Sequence, residues 1–386
     1  MVMNKTFLIV LSSAILLVSG CDPKPVPIDP VAAALRLPSE TYHYSMPSTP
    51  AHFNAPNVTA RDNTPFLNPV TDDGATLGRV LFYERAFSQN KTLSCASCHH
   101  QLFGFGDTAR LSHGFSGGLT GRNSMGLTNA RFYANGAFFW DERAATLEQQ
   151  VLMPMQDPIE MGMTLDSIVA RAQKKAYYPP LFEKAFGSTE ITSTKISLAL
   201  AQFIRSMMSY ESRYDAGRAQ VANPGINFPN FTAQENQGKA LFFGVNPAGG
   251  GPVPGACVGC HGTEAFTSPG PRNNGLDLTT TDPGVGGANG NPGQVGLFKS
   301  SSLRNIAQGA PFMHDGRFST LEQVVDHYSN GVKNHPNLSP ELKGPNGLPI
   351  VPNFTAAQKT ALVAFLHTLT DVSFQNNEAF EDPFIR

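Results

Sequence analysis

Two pentapeptides carry the chemistry of this chain: Cys95-Ala96-Ser97-Cys98-His99 and Cys257-Val258-Gly259-Cys260-His261. Cys-x-x-Cys-His is the attachment signal for c-type haem: the two thiols add across the vinyl groups and the adjacent imidazole reaches the iron. Zinc competes, because paired Cys-x-x-Cys sequences also build tetrahedral sites. A zinc site, however, does not need a His directly after each pair. A structural disulfide is the weaker alternative, since a Cys-x-x-Cys loop is a redox motif and not a staple. With five cysteines in the chain, two covalently bound haem c groups are expected. Their thiols are Cys95, Cys98, Cys257 and Cys260, and their iron ligands His99 and His261.

The elements that must hold these motifs are helices. Ala75 to Phe82 reads as a short amphipathic helix ahead of the first motif, and Gln237 to Phe242 repeats it ahead of the second. Further helices are expected over 146–153, 164–175 and 193–213, the last with Ile196, Leu200, Phe203, Ile204 and Met207 on one face. On that stripe Met207 and Met208 read as core residues and not as iron ligands. A closing helix begins at Thr355, with Gln358 completing a capping-box pattern. Gly- and Pro-rich loops join these pieces, the longest over 268–296. Beyond the haem motifs, Trp140-Asp141-Glu142-Arg143-Ala144-Ala145-Thr146-Leu147-Glu148-Gln149 lies on His314-Asp315-Gly316-Arg317-Phe318-Ser319-Thr320-Leu321-Glu322-Gln323. The expectation is a mostly α fold of two cytochrome c-like haem domains related by internal duplication.

A length of 386 residues accommodates two such domains. The net charge of −2 gives no reason to expect a nucleic-acid partner. Gly 36 and Pro 30 fit a loop-rich protein wrapped around large cofactors. Residues 1–20 carry Lys5 and the apolar run Phe7 to Val18, the charged and apolar regions of a signal peptide. Leu17-Val18-Ser19-Gly20-Cys21 resembles a lipoprotein processing box, so Cys21 is the expected lipidation site; a plain signal with a stray Cys is the alternative. Residues 21–60 are Pro-rich and polar and read as a flexible tether. The folded domains are then 61–232 and 233–386, on the periplasmic side of the cell envelope and anchored to the membrane by lipid.

Taken in order, the motifs resemble the bacterial diheme cytochrome c peroxidases, a superfamily that includes the MauG-type enzymes. The resemblance runs over residues 60–375: haem motif, Arg122-Asn123, Phe139-Trp140-Asp141, Gln150, Glu160-Met161, second haem motif, Leu303-Arg304-Asn305 and Ala310-Pro311-Phe312. It implies a peroxidatic first haem and an electron-transferring second one, with Trp140 between them. It also implies Gln150 and Glu160 as the distal pair over the first iron. A buried carboxyl with a raised pKa can take the proton from bound H2O2 and return it to the leaving oxygen. A calcium ion is implied on Asn123, Gly309 and Pro311, although the family usually has Thr where this chain has Gly309; oxygen ligands suit Ca2+. His113 stands in the region of the loop His that caps the first iron in classical members, but two residues further from Arg122-Asn123 than the pattern. His100, directly after a haem ligand, should face away from the iron.

Electron-transfer members place a Met on the second iron, seventeen residues beyond the Ala-Pro proline; here that position is Tyr328. His327 and Met313 are its neighbouring competitors. The matched residue of the first module, fourteen beyond Trp140 as Tyr328 is fourteen beyond His314, is Pro154, which cannot ligate. The resemblance therefore implies an enzyme that reduces H2O2 to water with electrons from a small cytochrome c or cupredoxin. The alternatives are a MauG-type oxidase that modifies a partner protein and a non-catalytic diheme electron carrier. A homodimer is left open.

Overall fold

The computed structural model describes Met1, residues 29–246 and residues 251–386. Among them no extended strand forms; helices are joined by long loops pinned by isolated bridges such as Phe138 to Ala144 and Phe312 to Phe318. Two helix pairs are the frame. The Asp72–Tyr83 helix starts on Thr71, whose side chain accepts the Gly74 N–H, and carries Asp72 and Asp73 in its first turn, where the helix dipole favours acid. It packs along the Ser193–Ser206 helix. In the second half the Ala233–Phe242 helix packs along Ala356–His367, and both open on capping boxes, Thr232 with Glu235 and Thr355 with Gln358.

Each pair is in contact through a glycine at the same place in the repeat. A Cβ on Gly78 would strike the carbonyl of Ala199, and one on Gly238 the carbonyl of Ala361. Gly238→Ala tests the contact. Alanine gains about 1 kcal/mol of helix propensity, but overpacking costs about 1–3 kcal/mol, and here the obstacle is backbone that cannot rotate aside. A lower Tm is expected in thermal unfolding; an unchanged or higher one would show that the helices are not held at this separation.

Each pair has its own core. Leu77, Phe82, Phe105, Leu200 and Phe203 centre the first, and Phe242, Phe266, Leu362 and Phe365 the second. The cores cut the chain differently from the expected boundary after residue 232. Tyr214, Phe228 and Phe231 join the second core, and Phe374, Ala379 and Phe380 from the C-terminal end join the first. Part of the expected tether is also corrected. Leu35 and Tyr44 lie in the first core, Leu35 bridges Phe384, the Tyr44 hydroxyl donates to the Ala379 carbonyl, and Phe53 and Val58 are buried between the halves. Single apolar anchors among prolines hold residues 29–60 on the body. The rest of the expected tether, the signal peptide and Cys21 lie outside the described residues.

Three helical segments differ from expectation. The 193–213 helix ends at Ser206, because tertiary bonds replace its next turn. Met207 accepts the Asn129 N–H, while the Asp371 carboxylate accepts from the Ser209 hydroxyl and the Tyr210 and Glu211 N–H groups. The helix Tyr178–Phe186 was not foreseen; its Pro179 and Pro180 sit in the first turn, where no N–H is needed, and left-handed Gly187 ends it. Expected helix 146–153 divides into Leu147–Gln150 and Met153–Gln156. No helix among the described residues is long and apolar enough to cross a membrane.

Candidate functional site

The two haem motifs fold alike. In each, the N–H groups of the second Cys and of the His donate to the carbonyl of the first Cys, closing one tight turn. The His99 Nδ1–H then donates to the Phe105 carbonyl at 2.8 Å, and His261 Nδ1–H to that of Phe266 at 3.4 Å. Both phenylalanines take a left-handed backbone (φ 59° and 53°) that turns their carbonyls onto the imidazoles. This fixes the tautomer and leaves Nε2 with its lone pair, the form that binds a metal. Burial lowers the pKa of both rings, His261 to about 4, so both are neutral. Among the described residues no group of three His, Cys, Asp or Glu side chains could hold a metal ion, so the zinc alternative finds no site.

Each imidazole opens onto a cavity. The first is faced by Arg143, Gln150, Pro154, Asp157 and Glu160; the second holds Cys257, Cys260, Asn274, Met313 and Tyr328 within apolar walls. Trp140, Lys299 and Ser300 to Ser302 line both. The residues fit haem. Beside the second cavity the Ser301 hydroxyl is buried without a hydrogen-bond partner, a donor that a group with carboxylate arms could satisfy.

Trp140 is fixed from three directions. Its Nε1–H donates to the Asn123 carbonyl at 2.7 Å, and its own carbonyl accepts the Lys299 N–H at 2.8 Å. Its turn, Phe139 to Glu142, has left-handed residues at both ends (φ 67° and 55°). Arg122 clamps the turn from outside, bonding Asp141 and, through two bonds, Asp282 of the long loop. Asn123 also donates its backbone N–H to His314 and its side-chain N–H groups to the carbonyls of Ala109 and Arg110. The Asn123 Oδ1 takes part in none of these bonds.

The Glu160 carboxyl is raised to about 6, chiefly by burial and further by Asp157, against the opposing charge of Arg143. Its backbone is held at both ends: N–H to Asp157 Oδ1 at 3.1 Å, carbonyl from Phe115 N–H at 3.0 Å. The structure therefore brings Glu160, Gln150 and Trp140 to the cavity of His99, with Pro154 in place of a ligand. Tyr328 reaches the second cavity from a π-helical turn, His327–Gly331. His327 points elsewhere, Nε2 bonding the Asn274 carbonyl at 3.0 Å, and does not line the cavity.

His113 is a correction. It is exposed, bridged to Leu119 on its loop, and lines neither cavity; the longer spacing to Arg122 leaves it on the surface. Met207 and Met208 are core residues, and His100 lines neither cavity. Sequence reasoning passed over Arg143, Asp157, Tyr133 and Lys299. The place of Lys299 next to Ser300-Ser301-Ser302 was a usable signal, because a Lys in a run of small polar residues has no apolar stripe to explain its burial.

Two cavities, each reached by the imidazole of a Cys-x-x-Cys-His motif and sharing the Trp140 indole in their walls, are the plan of a diheme c-type protein. Residues 72–222 match the family described as Di-haem cytochrome c peroxidase. The methylamine utilization protein MauG of Methylorubrum extorquens is 34% identical over 310 residues, 79% of this chain and 80% of that protein. The cytochrome c551 peroxidase of Nitrosomonas europaea is 29% identical, over 79% of this chain and 82% of its own length. The crystal structure of a MauG-like protein associated with microbial copper homeostasis superposes with a TM-score of 0.73 at 32% identity, covering 89% of this chain and 99% of that one. The chain belongs to the di-haem cytochrome c peroxidase and MauG family. It is a mostly helical diheme oxidoreductase acting on peroxide, and its two Cys-x-x-Cys-His motifs imply two haem c groups.

Proposed function

We propose that this chain uses H2O2 as the oxidant for a partner protein, the MauG-type branch of its family's chemistry, in preference to rapid turnover with a small cytochrome c or cupredoxin. The observation that carries this reading is Tyr328 in the second cavity with His261, where an electron-transfer member would carry Met. A hard phenolate donor disfavours the ferrous state that a fast electron acceptor needs.

In the first cavity a haem would supply the iron at which the peroxide O–O bond is reduced. Everything else belongs to the chain. His99 would hold the iron, and Pro154, in the same cavity, offers it no donor atom. Glu160 takes the proton from one peroxide oxygen and returns it to the oxygen that leaves as water; a carboxyl ionising at about 6 has both forms at hand near neutral pH. Gln150 holds peroxide by hydrogen bonds without competing for the proton. Trp140, in the wall of both cavities, is the route for electrons. The two halves then divide the labour, the one built on the Phe82 and Phe203 core peroxidatic and the one built on the Phe242 and Phe365 core electron-transferring; a Ca2+ ion would be held by oxygens of Asn123, Gly309 and Pro311.

Steady-state peroxide consumption with reduced cytochrome c or cupredoxin tests the reading. Slow turnover with these donors, but stoichiometric use of peroxide when a protein substrate is oxidised, is the expected result. Rapid donor-dependent turnover would overturn it in favour of a classical peroxidase.

The same reading places the protein on the periplasmic side of the envelope, held by lipid on Cys21. Cys21→Ser should move the protein from the membrane to the soluble fraction with both haems retained, because Cys21 precedes every buried residue of the body. Retention in washed membranes would exclude the anchor.

A further inference from the structure

The first cavity has a second oxidisable side chain in its wall besides Trp140. Tyr133 lines it, is 1% exposed, and donates its hydroxyl to the carboxylate of Glu142 in a short hydrogen bond. Glu142 is half-buried, and its other oxygen accepts from Asn135, an exposed residue, at 2.7 Å. Cavity, phenol, carboxylate and surface thus follow one another. Three other tyrosines also donate to carboxylates, Tyr177 and Tyr178 to Glu84 and Tyr214 to Glu264, but none of them lines either haem cavity. Tyr328, the tyrosine of the second cavity, has an amide beside it, Asn274, and no carboxylate.

The backbone is arranged around this pair. Glu142 closes the turn that carries Trp140 and does so at φ 55°, a conformation disfavoured for a side-chain-bearing residue. Strain of this kind persists where surrounding structure over-determines it, and it concentrates at working sites. Tyr133 is tied from behind, its carbonyl accepting from Asn63 at 3.2 Å.

We propose that Tyr133 and Glu142 form a proton-coupled redox pair that relays an oxidising equivalent from the first cavity towards the surface near Asn135, separately from the Trp140 route. The inference rests on the peroxide-dependent reading above. The phenol loses one electron to the oxidising equivalent that H2O2 leaves in the cavity, and in the same step its O–H proton passes to Glu142. The products are a neutral tyrosyl radical and a protonated carboxyl. Reduction of H2O2 to two waters takes two electrons and two protons, so one peroxide supports two such events. An electron from an oxidisable side chain of the partner protein then restores the phenol, and Glu142 returns the proton.

Without a base the step is unfavourable, because a phenol that loses an electron must shed its proton; a carboxylate within hydrogen-bond reach accepts it with no rearrangement. The Lys299 amine sits 4.3 Å from the centre of the Tyr133 ring, where a full positive charge would oppose removal of an electron. Burial lowers that amine to about 7, which weakens the opposition near neutral pH.

The test is freeze-quench electron paramagnetic resonance on the diheme holoprotein, given one equivalent of H2O2 and no reductant, with ring-deuterated tyrosine for assignment. The wild type should show a tyrosyl signal that narrows on deuteration. Tyr133→Phe should lose it, and Glu142→Gln, which keeps the ring but cannot take the proton, should lose most of it. Absence of a tyrosyl signal in the wild type overturns the proposal, as does a signal that survives in Tyr133→Phe with haem content intact. If Tyr133→Phe fails to retain haem, Glu142→Gln decides, and an undiminished signal there overturns it. Peroxide consumption is followed in the same samples. A wild type that consumes peroxide without a tyrosyl signal refutes the relay alone; one that consumes none refutes the peroxide reading and the relay with it.

Discussion

Glu160→Gln holoprotein should carry two haems with unchanged visible spectra and yet reduce H2O2 about 10²–10⁴-fold more slowly, the range of general acid–base catalysis. The amide keeps the size and the hydrogen bonds of the carboxyl but cannot accept the peroxide proton. The pH profile gives a second readout. Burial and Asp157 raise this carboxyl to about 6. The base is therefore present above that pH and progressively lost as pH falls through it, so the wild-type rate should climb through about 6 and level off, while the variant stays low and flat. A variant that matches the wild-type rate would remove Glu160 from the mechanism. Retention of the break near 6 in Glu160→Gln would assign that ionisation to another group.

Tyr328→Phe should change the second haem and leave the first as it was. Burial holds the Tyr328 hydroxyl well above its ordinary pKa, so without iron it is a neutral phenol. Ligation would release that proton, and the resulting phenolate would stabilise the ferric ion. The expected wild type has a low-spin ferric second haem of low potential, and the phenylalanine variant a high-spin one of higher potential, read by electron paramagnetic resonance and redox titration. Met313 provides the control, because its sulfur lies 3.4 Å from Asn274 Nδ2 in the same cavity. A thioether-to-iron absorption band in the wild type that persists in Tyr328→Phe and disappears in Met313→Leu would give the site to methionine and remove the main support for the oxidase reading.

Short-range spacing made the haem attachment legible, since thiols and imidazole act within five residues. The duplication was equally legible, and it extends into the backbone: Phe139 and Met313, each one residue before the matched Trp140 and His314, share a left-handed conformation (φ 67° and 75°). Glu160, Gln150 and Tyr328 were reached only through the family resemblance that the order of motifs carries. Their place in the cavities depends on packing that no local pattern encodes. The same limit explains the end of the helix at Ser206. Its apolar period does not stop there, but Asn129 and Asp371, both far away in sequence, take over the backbone groups. Tyr178–Phe186 was the avoidable miss, because prolines in the first turn and a glycine after the last are a helix signature in themselves. Residues 29–60 look unstructured by composition, and it is distant partners, Phe203 and residues 379–384, that bury Leu35 and Tyr44.

Those contacts set an order of events during synthesis. Phe374 and Phe380 complete the aromatic cluster around Phe105, directly behind His99, and Gln375 binds the Leu102 carbonyl in the loop after it. A chain delivered from its N-terminus presents Cys95 and Cys98 some 280 residues before these partners arrive (Phe374 follows Cys95 by 279 positions). The first module therefore stays unlatched while the rest of the polypeptide is still being made. Its thiols stay accessible throughout that interval, and the module closes around His99 only when Phe374, Gln375 and Phe380 arrive.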